Sequence, residues 1–139
     1  MSRSLREGDL QYGALPYRMG KRGVEILLIT SRETKRWIIP KGWPMAGKKP
    51  PRAAQIEAFQ EAGVKGVIAR KPVGTYSYPK ILPDGTERPC LVEVYPLRVK
   101  LEAAKWREQA ERERAWFTLE ECLARVDDGG LGQLIAEWR

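Results

Sequence analysis

The sequence predicts an α/β (α+β) layered domain, a mixed sheet with helices packed against it. Three observations predict it. Val24–Thr30 (VEILLIT) is a near-continuous apolar run, the mark of a strand buried on both faces. Arg52–Ala62 is alanine-rich and bounded by Pro51 and Gly63, which reads as a helix. Further strand signals follow, interleaved with two more helical segments.

Gln11–Arg18 (QYGALPYR) reads as the first strand, with Pro16 near its end marking a sheet edge or a bulge. Met19–Gly23 is a turn into Val24–Thr30, and Trp37–Ile39 is a short strand running into a loop at Pro40–Gly47. Pro51 suits the first helical turn, where a missing N–H costs nothing, and Gly63 is the residue just past the helix end. Val67–Ile81 reads as a long strand or strand pair, with Gly74 as a bulge. Pro83-Asp84-Gly85-Thr86 is a hairpin turn. Cys90–Leu101 alternates and breaks near Pro96, Ala103–Arg114 reads as loop or short helix, and Trp116-Phe117 as a last short strand. Thr118 caps a helix through Val126, with Glu121 completing a capping box, and Leu131–Trp138 forms a terminal helix. With no repeat or linker, residues 1–139 are expected to make one domain.

Composition narrows the chemistry. A chain of 139 residues, 42% hydrophobic, can bury a sizeable core. No apolar run approaches the roughly 20 residues of a membrane-spanning helix, so no membrane partner is expected. The opening MSRSLREGDL lacks the apolar core of a secretory signal. Cys90 and Cys122 make no disulfide framework and read as buried small hydrophobes, so a cytoplasmic location is expected. The chain has no His, which excludes His general bases and His zinc sites. A metal would be a hard cation on carboxylates, hence Mg²⁺ or Mn²⁺.

The net charge of +7 is uneven: residues 1–70 carry 14 Lys+Arg against 6 Asp+Glu. Ser31–Arg52 is densest, with Arg32, Lys35, Arg36, Lys41, Lys48, Lys49 and Arg52 against Glu33 alone. Such a face concentrates an anionic ligand. On the helix, Glu57, Gln60 and Glu61 fall three and four apart and form one polar cluster, with room beside Ala53 and Ala54. A Glu pair alone is usually an ordinary solvated face. The glycines and helix bounds around this one make it a candidate cation site.

Gly42–Val64 (GWPMAGKKPPRAAQIEAFQEAGV) spans 23 residues and resembles the Nudix box, G-x5-E-x7-R-E-U-x-E-E-x-G-U with U aliphatic. Gly42, Glu57, Ala58, Glu61, Gly63 and Val64 match it; Lys48, Ile56 and Gln60 stand where the pattern has Glu, Arg and Glu. QYGALPYR, LLITSRETKRWIIPKGWPM, EAFQEAGVKG, VGTYSY, Trp106-x-Glu108 and Trp116-Phe117 follow in an order similar to the diphosphoinositol and diadenosine polyphosphate phosphohydrolase branch of the Nudix hydrolase superfamily.

The resemblance implies the Nudix fold, a mixed β-sheet sandwiched between helices. It implies catalytic and metal roles for Glu57 and Glu61, with Gln60 and the backbone at Gly42 completing the ligand set for Mg²⁺ or Mn²⁺. Arg18, Ser31, Arg32, Arg36, Lys41 and Lys80 are the implied phosphate holders, the arginines through forks that match phosphate oxygens. Gln60 lowers the ligand count and Ile56 removes a guanidinium, yet the sum over 56, 57, 60 and 61 stays at −2, as in the full pattern. Glu93 and Glu108 are further carboxylates that could compensate. The expected function is metal-dependent pyrophosphohydrolysis of a small polyphosphorylated substrate. A catalytically weakened domain that binds a polyphosphate as a regulatory module is the alternative. Nucleic-acid binding has the high pI of about 9.6 in its favour and no module motif. The sequence sets no oligomeric state.

Overall fold

The computed structural model describes residues 9–127 and 129–138; the start of the chain, read above for a secretory signal, lies outside them as far as residue 8. The elements run β1 (Leu10–Gly20), β2 (Gly23–Thr30), β3 (Trp37–Ile38), β4 (Lys41–Gly42), α1 (Pro50–Ala62), β5 (Val64–Ile68), β6 (Gly74–Ile81), β7 (Glu87–Glu102), β8 (Arg114–Thr118), α2 (Leu119–Arg125) and α3 (Gly129–Glu137). The strands form one eight-stranded mixed sheet with the path β3-β2-β1-β7-β5; β4 joins β1, β6 joins β7 and β8 joins β2. β1 and β7 are parallel and the other pairs antiparallel. No described helix is long and apolar enough to cross a membrane.

Two strands run through the prolines expected to limit them. β1 is interior, not an edge, and Pro16 is buried within it. Its pairing with β4 ends at Gly13 and its pairing with β2 begins at Tyr17. The Ala14 N–H points to that side, reaching the Pro40 carbonyl at 3.0 Å. Pro16, two residues on, points its nitrogen the same way, into the gap between partners, where no donor is needed. β7 likewise continues for 16 residues through Pro96 rather than breaking there. The Pro96 carbonyl accepts from the Ala69 N–H at 2.9 Å, between the last β5 pair at Leu97 and the first β6 pair at Val94. Both prolines sit where one edge of a strand changes neighbours. Val67–Ile81 divides into β5 and β6, which pair with β7 and not with each other; Gly74 opens β6 and is no bulge.

Each face of the sheet carries a core. On one, Leu15, Ile26, Leu28, Val92, Val94 and Phe117 pack against Cys122 of α2 and Leu131, Leu134 and Ile135 of α3. On the other, Ala14, Leu27, Ile29, Tyr95 and Leu97 meet Ala54, Ala58 and Ala62 of α1. Small side chains let α1 approach the strands closely. Thr118 caps α2 with the full capping box, its hydroxyl accepting from the Glu121 N–H at 3.2 Å and the Glu121 carboxylate accepting from the Thr118 N–H at 2.8 Å. α1 ends on Gly63 at φ 70°, where its N–H bonds back to the Phe59 carbonyl. A Cβ there would lie 2.7 Å from both the Arg114 guanidinium and the Trp106 ring. Gly63→Ala is therefore expected to cost about 1–3 kcal/mol in urea unfolding; an unchanged midpoint would mean that the helix end relaxes freely.

Candidate functional site

The inner side of α1 carries two carboxylates into the structure. Glu57 is half-buried and lies against the backbone of β4: a Cβ on Gly42 would sit 2.6 Å from Glu57 Oε1. That close approach is a physical reason for glycine at position 42. Glu61, one turn on, is only 5% exposed. Its Oε1 accepts from the Lys41 N–H at 3.3 Å and lies 3.7 Å from the Arg112 guanidinium. Burial pushes the Glu61 carboxyl up to about 9, and a hydrogen bond with Glu57 and that residue's charge push the same way. Arg112 and Lys41 pull it down without offsetting the burial.

Two adjacent carboxylates in a poorly solvated spot cannot both stay charged cheaply. They take up either a proton or a cation. This donor set of hard oxygens, with backbone at Lys41 and Gly42 beside it, fits a divalent ion of the Mg²⁺ or Mn²⁺ type. It is a lean set, because no group of three or more His, Cys, Asp or Glu converges among the described residues.

A strap between β7 and β8 holds the end of α1. The Glu108 N–H donates to the Gln60 carbonyl at 3.1 Å and Trp106 Nε1 to that of Glu61 at 3.1 Å. Arg114 Nη1 donates to the Ala62 carbonyl at 2.9 Å, and the Ala103 N–H to that of Gly63 at 2.7 Å. Four carbonyls at a helix end, which have no partner within the helix, are thus satisfied by the strap and by Arg114 at the start of β8. α1 has no basic residue in its last turn, so the Arg114 guanidinium supplies the positive charge that a helix C-terminus favours.

The residues expected from sequence divide into groups. Glu57, Glu61, Lys41 and Gly42 come together. Gln60 does not join them as expected: its side chain lines an outer groove with Arg52, Gln55, Ile56, Phe59 and Lys65. On the helix it shares the stripe of Ile56, four residues back, and is turned about 100° from Glu61. Ser31, Arg32 and Arg36 share the tight turn after β2, where the Ser31 hydroxyl accepts from the Arg36 N–H at 2.9 Å. That turn adjoins the strap through Arg32 and Glu111 at 3.7 Å. Lys41 Nζ lies over the Tyr78 ring at 4.7 Å and Lys80 Nζ over the Trp43 ring at 5.5 Å. Arg18 is the clear correction. It pairs with Glu25 at 2.8 Å and Glu102 at 3.5 Å and covers Trp116, six residues along β1 from the Tyr12–Gly42 pair, or about 20 Å.

Of the two spare carboxylates, Glu93 lies in register with Tyr12, across from Gly42, and accepts the Tyr95 hydroxyl. Glu108 is taken by Arg112 at 2.7 Å. Sequence reasoning gave Arg112 and Trp106 no role at the site. The available signal was Ile56: a box helix without its guanidinium invites a search for another Arg, and the strap carries two, Arg107 and Arg112.

No family model matches the chain. It is 30% identical over 129 residues to "Nudix hydrolase 13, mitochondrial" of Arabidopsis thaliana, an alignment covering 80% of this chain and 63% of the relative. It is 33% identical over 106 residues to diphosphoinositol polyphosphate phosphohydrolase 3-beta of Bos taurus, covering 74% and 60%. The chain thus spans less than two thirds of the length of either. The fold is shared with the crystal structure of a C. elegans Ap4A hydrolase at TM-score 0.64 and 20% identity, over 93% of this chain and 94% of that one.

Burial pushes the Glu61 carboxyl from its ordinary 4.5 up to about 9, so the fold prefers its protonated form. The stability it contributes is complete below the lower value and drains away as pH rises through the higher one. Thermal melts of metal-free protein should show stability falling between those limits, by up to about 1.4 kcal/mol per pH unit. Mg²⁺ should restore most at the alkaline end, and Glu61→Gln should flatten the slope. A slope unchanged in Glu61→Gln would assign it to other groups.

Proposed function

The chain belongs to the Nudix hydrolase superfamily, and from that membership we propose that it hydrolyses a phosphoanhydride bond in a small polyphosphorylated substrate with the help of Mg²⁺ or Mn²⁺. The observation that carries the reading is the Glu57–Glu61 pair, half-buried and buried in turn, on the box helix against Gly42 and the Lys41 N–H. A diphosphoinositol polyphosphate or a diadenosine polyphosphate is the proposed substrate type. The names of one relative and one structural neighbour support that choice. The cationic turn Ser31–Arg36 and the Lys41–Lys80 edge support it as well.

Glu57 and Glu61 would hold the cation. When bound, the ion would supply charge stabilisation for the phosphoryl oxygens. The chain's own contribution follows from the two environments. Glu61 is enclosed and oriented by Lys41 and Arg112. Glu57 is the more open carboxylate, and we assign it the proton of the attacking water. The water oxygen bonds to phosphorus, the bridging P–O bond breaks, and the leaving phosphate departs with that bond's electron pair. Lys41 and Lys80, with Arg32 and Arg36, would hold the substrate's remaining charge. The buried, unpaired thiols of Cys90 and Cys122 support a reducing, cytoplasmic setting.

A second reading, a domain that binds polyphosphate with little turnover, draws on the lean ligand set and on Gln60 facing the outer groove. A phosphate-release screen against diphosphoinositol and diadenosine polyphosphates, with Mg²⁺, with Mn²⁺ and with chelator, separates the two. Metal-dependent release is expected, falling at least about a hundredfold in Glu61→Gln; an unchanged rate in that variant overturns the mechanism. If Ile56→Arg combined with Gln60→Glu raises turnover sharply, the second reading holds for the natural chain.

A further inference from the structure

We propose that Arg112 is a positioning residue for the carboxylate pair, delivering from the strap the guanidinium that position 56 of the helix lacks. The inference rests on the functional reading above and extends it to a residue outside the box. Arg112 is a buried arginine, its side chain 8% exposed, with two hydrogen-bond acceptors and one ion-pair partner on three separate segments. Its Nε donates to Glu108 Oε1 at 2.7 Å, its Nη1 to the Thr30 carbonyl at 3.1 Å, and its Nη2 lies 3.7 Å from Glu61 Oε1. The rigid fork of arginine suits that task, since its donors leave one plane in fixed directions.

Two features separate this from an ordinary buried ion pair. The first is charge. Glu108 is the closer partner and matches the guanidinium, so Arg112 can orient Glu61 without cancelling the charge that a cation would need. The second is the mounting. The strap that carries Arg112 also caps the carbonyls of residues 60, 61 and 63, so the guanidinium is tied to the helix end it serves. Ile56 meanwhile faces the outer groove beside Phe59.

Mn²⁺ binding, read by electron paramagnetic resonance of the free ion, tests the role apart from turnover. Thermal melts in parallel confirm folding. Arg112→Met is expected to weaken Mn²⁺ binding about 10–100-fold and to lower kcat with KM little changed. Arg112→Lys, which keeps the charge and loses the fork, should fall between that variant and the natural chain. Mn²⁺ binding as tight as the natural chain's, or tighter, in Arg112→Met would mean that the guanidinium merely competes for the carboxylate, and the proposal falls. Should Arg112→Met fail to fold, Arg112→Lys decides alone, and affinity equal to the natural chain's overturns the role. A natural chain that binds no Mn²⁺ removes the metal reading and this proposal with it. A natural chain that binds Mn²⁺, beside an indifferent Arg112→Met, removes only this proposal.

Discussion

The close seating of α1 on the sheet is the constraint from which the site follows. Ala54, Ala58 and Ala62 bring the helix backbone down onto Ala14, Tyr95 and Leu97. A helix with larger residues there would stand further off, and overpacking such a contact costs about 1–3 kcal/mol. Because the approach is close, the residues flanking the alanine stripe are enclosed too, and two of them are Glu57 and Glu61. The same closeness brings Gly42 against Glu57 and the Lys41 N–H onto Glu61. A buried carboxylate beside a half-buried one is costly for a folding chain. Here that cost is the source of a demand for positive charge.

The strap answers a second consequence. α1 ends abruptly at Gly63, leaving its last carbonyls to be satisfied from elsewhere. The segment between β7 and β8 supplies backbone N–H groups and an indole to three of them, and Arg114 at the start of β8 supplies a guanidinium to the fourth. That segment is rich in charge and poor in regular structure, yet it is bonded at nearly every turn. Its order comes from the helix it caps, and in return it fixes where the helix ends. Capping and catalysis are therefore hard to separate at Glu61, whose carbonyl and carboxylate are both held by the same strap.

What could be read from the sequence follows from the range of the interaction involved. α1, the capping box of α2 and the Pro83–Thr86 turn are written in neighbouring residues, and the structure keeps their bounds. The frame of the site was equally legible, since Gly42, Glu57, Glu61 and Gly63 share one segment. Pro16 and Pro96 misled because their tolerance depends on where other strands begin and end, which no local pattern records. Gln60 misled through rotation: three residues from Glu57, it lies on the other side of it from the alanine stripe. Arg112 lies 51 positions from Glu61 in the chain, and only folding makes it a neighbour.

Arg18 shows how charge alone can mislead. It belongs to the basic half of the chain, but the fold commits it to Glu25 and Glu102 and stacks it on Trp116. The other cations expected to hold phosphate come in two sets, the turn after β2 and the Lys41–Lys80 edge beside Tyr78 and Trp43. A single phosphate would engage one set. A ligand with several phosphates could engage both while bringing an anhydride bond to Glu57 and Glu61. The lysines also rest on aromatic faces, which hold the charge in place without neutralising it as a carboxylate would. A multiply charged anion therefore gains more from this arrangement than its terminal phosphate alone would, which argues for a substrate recognised by the whole of its charge.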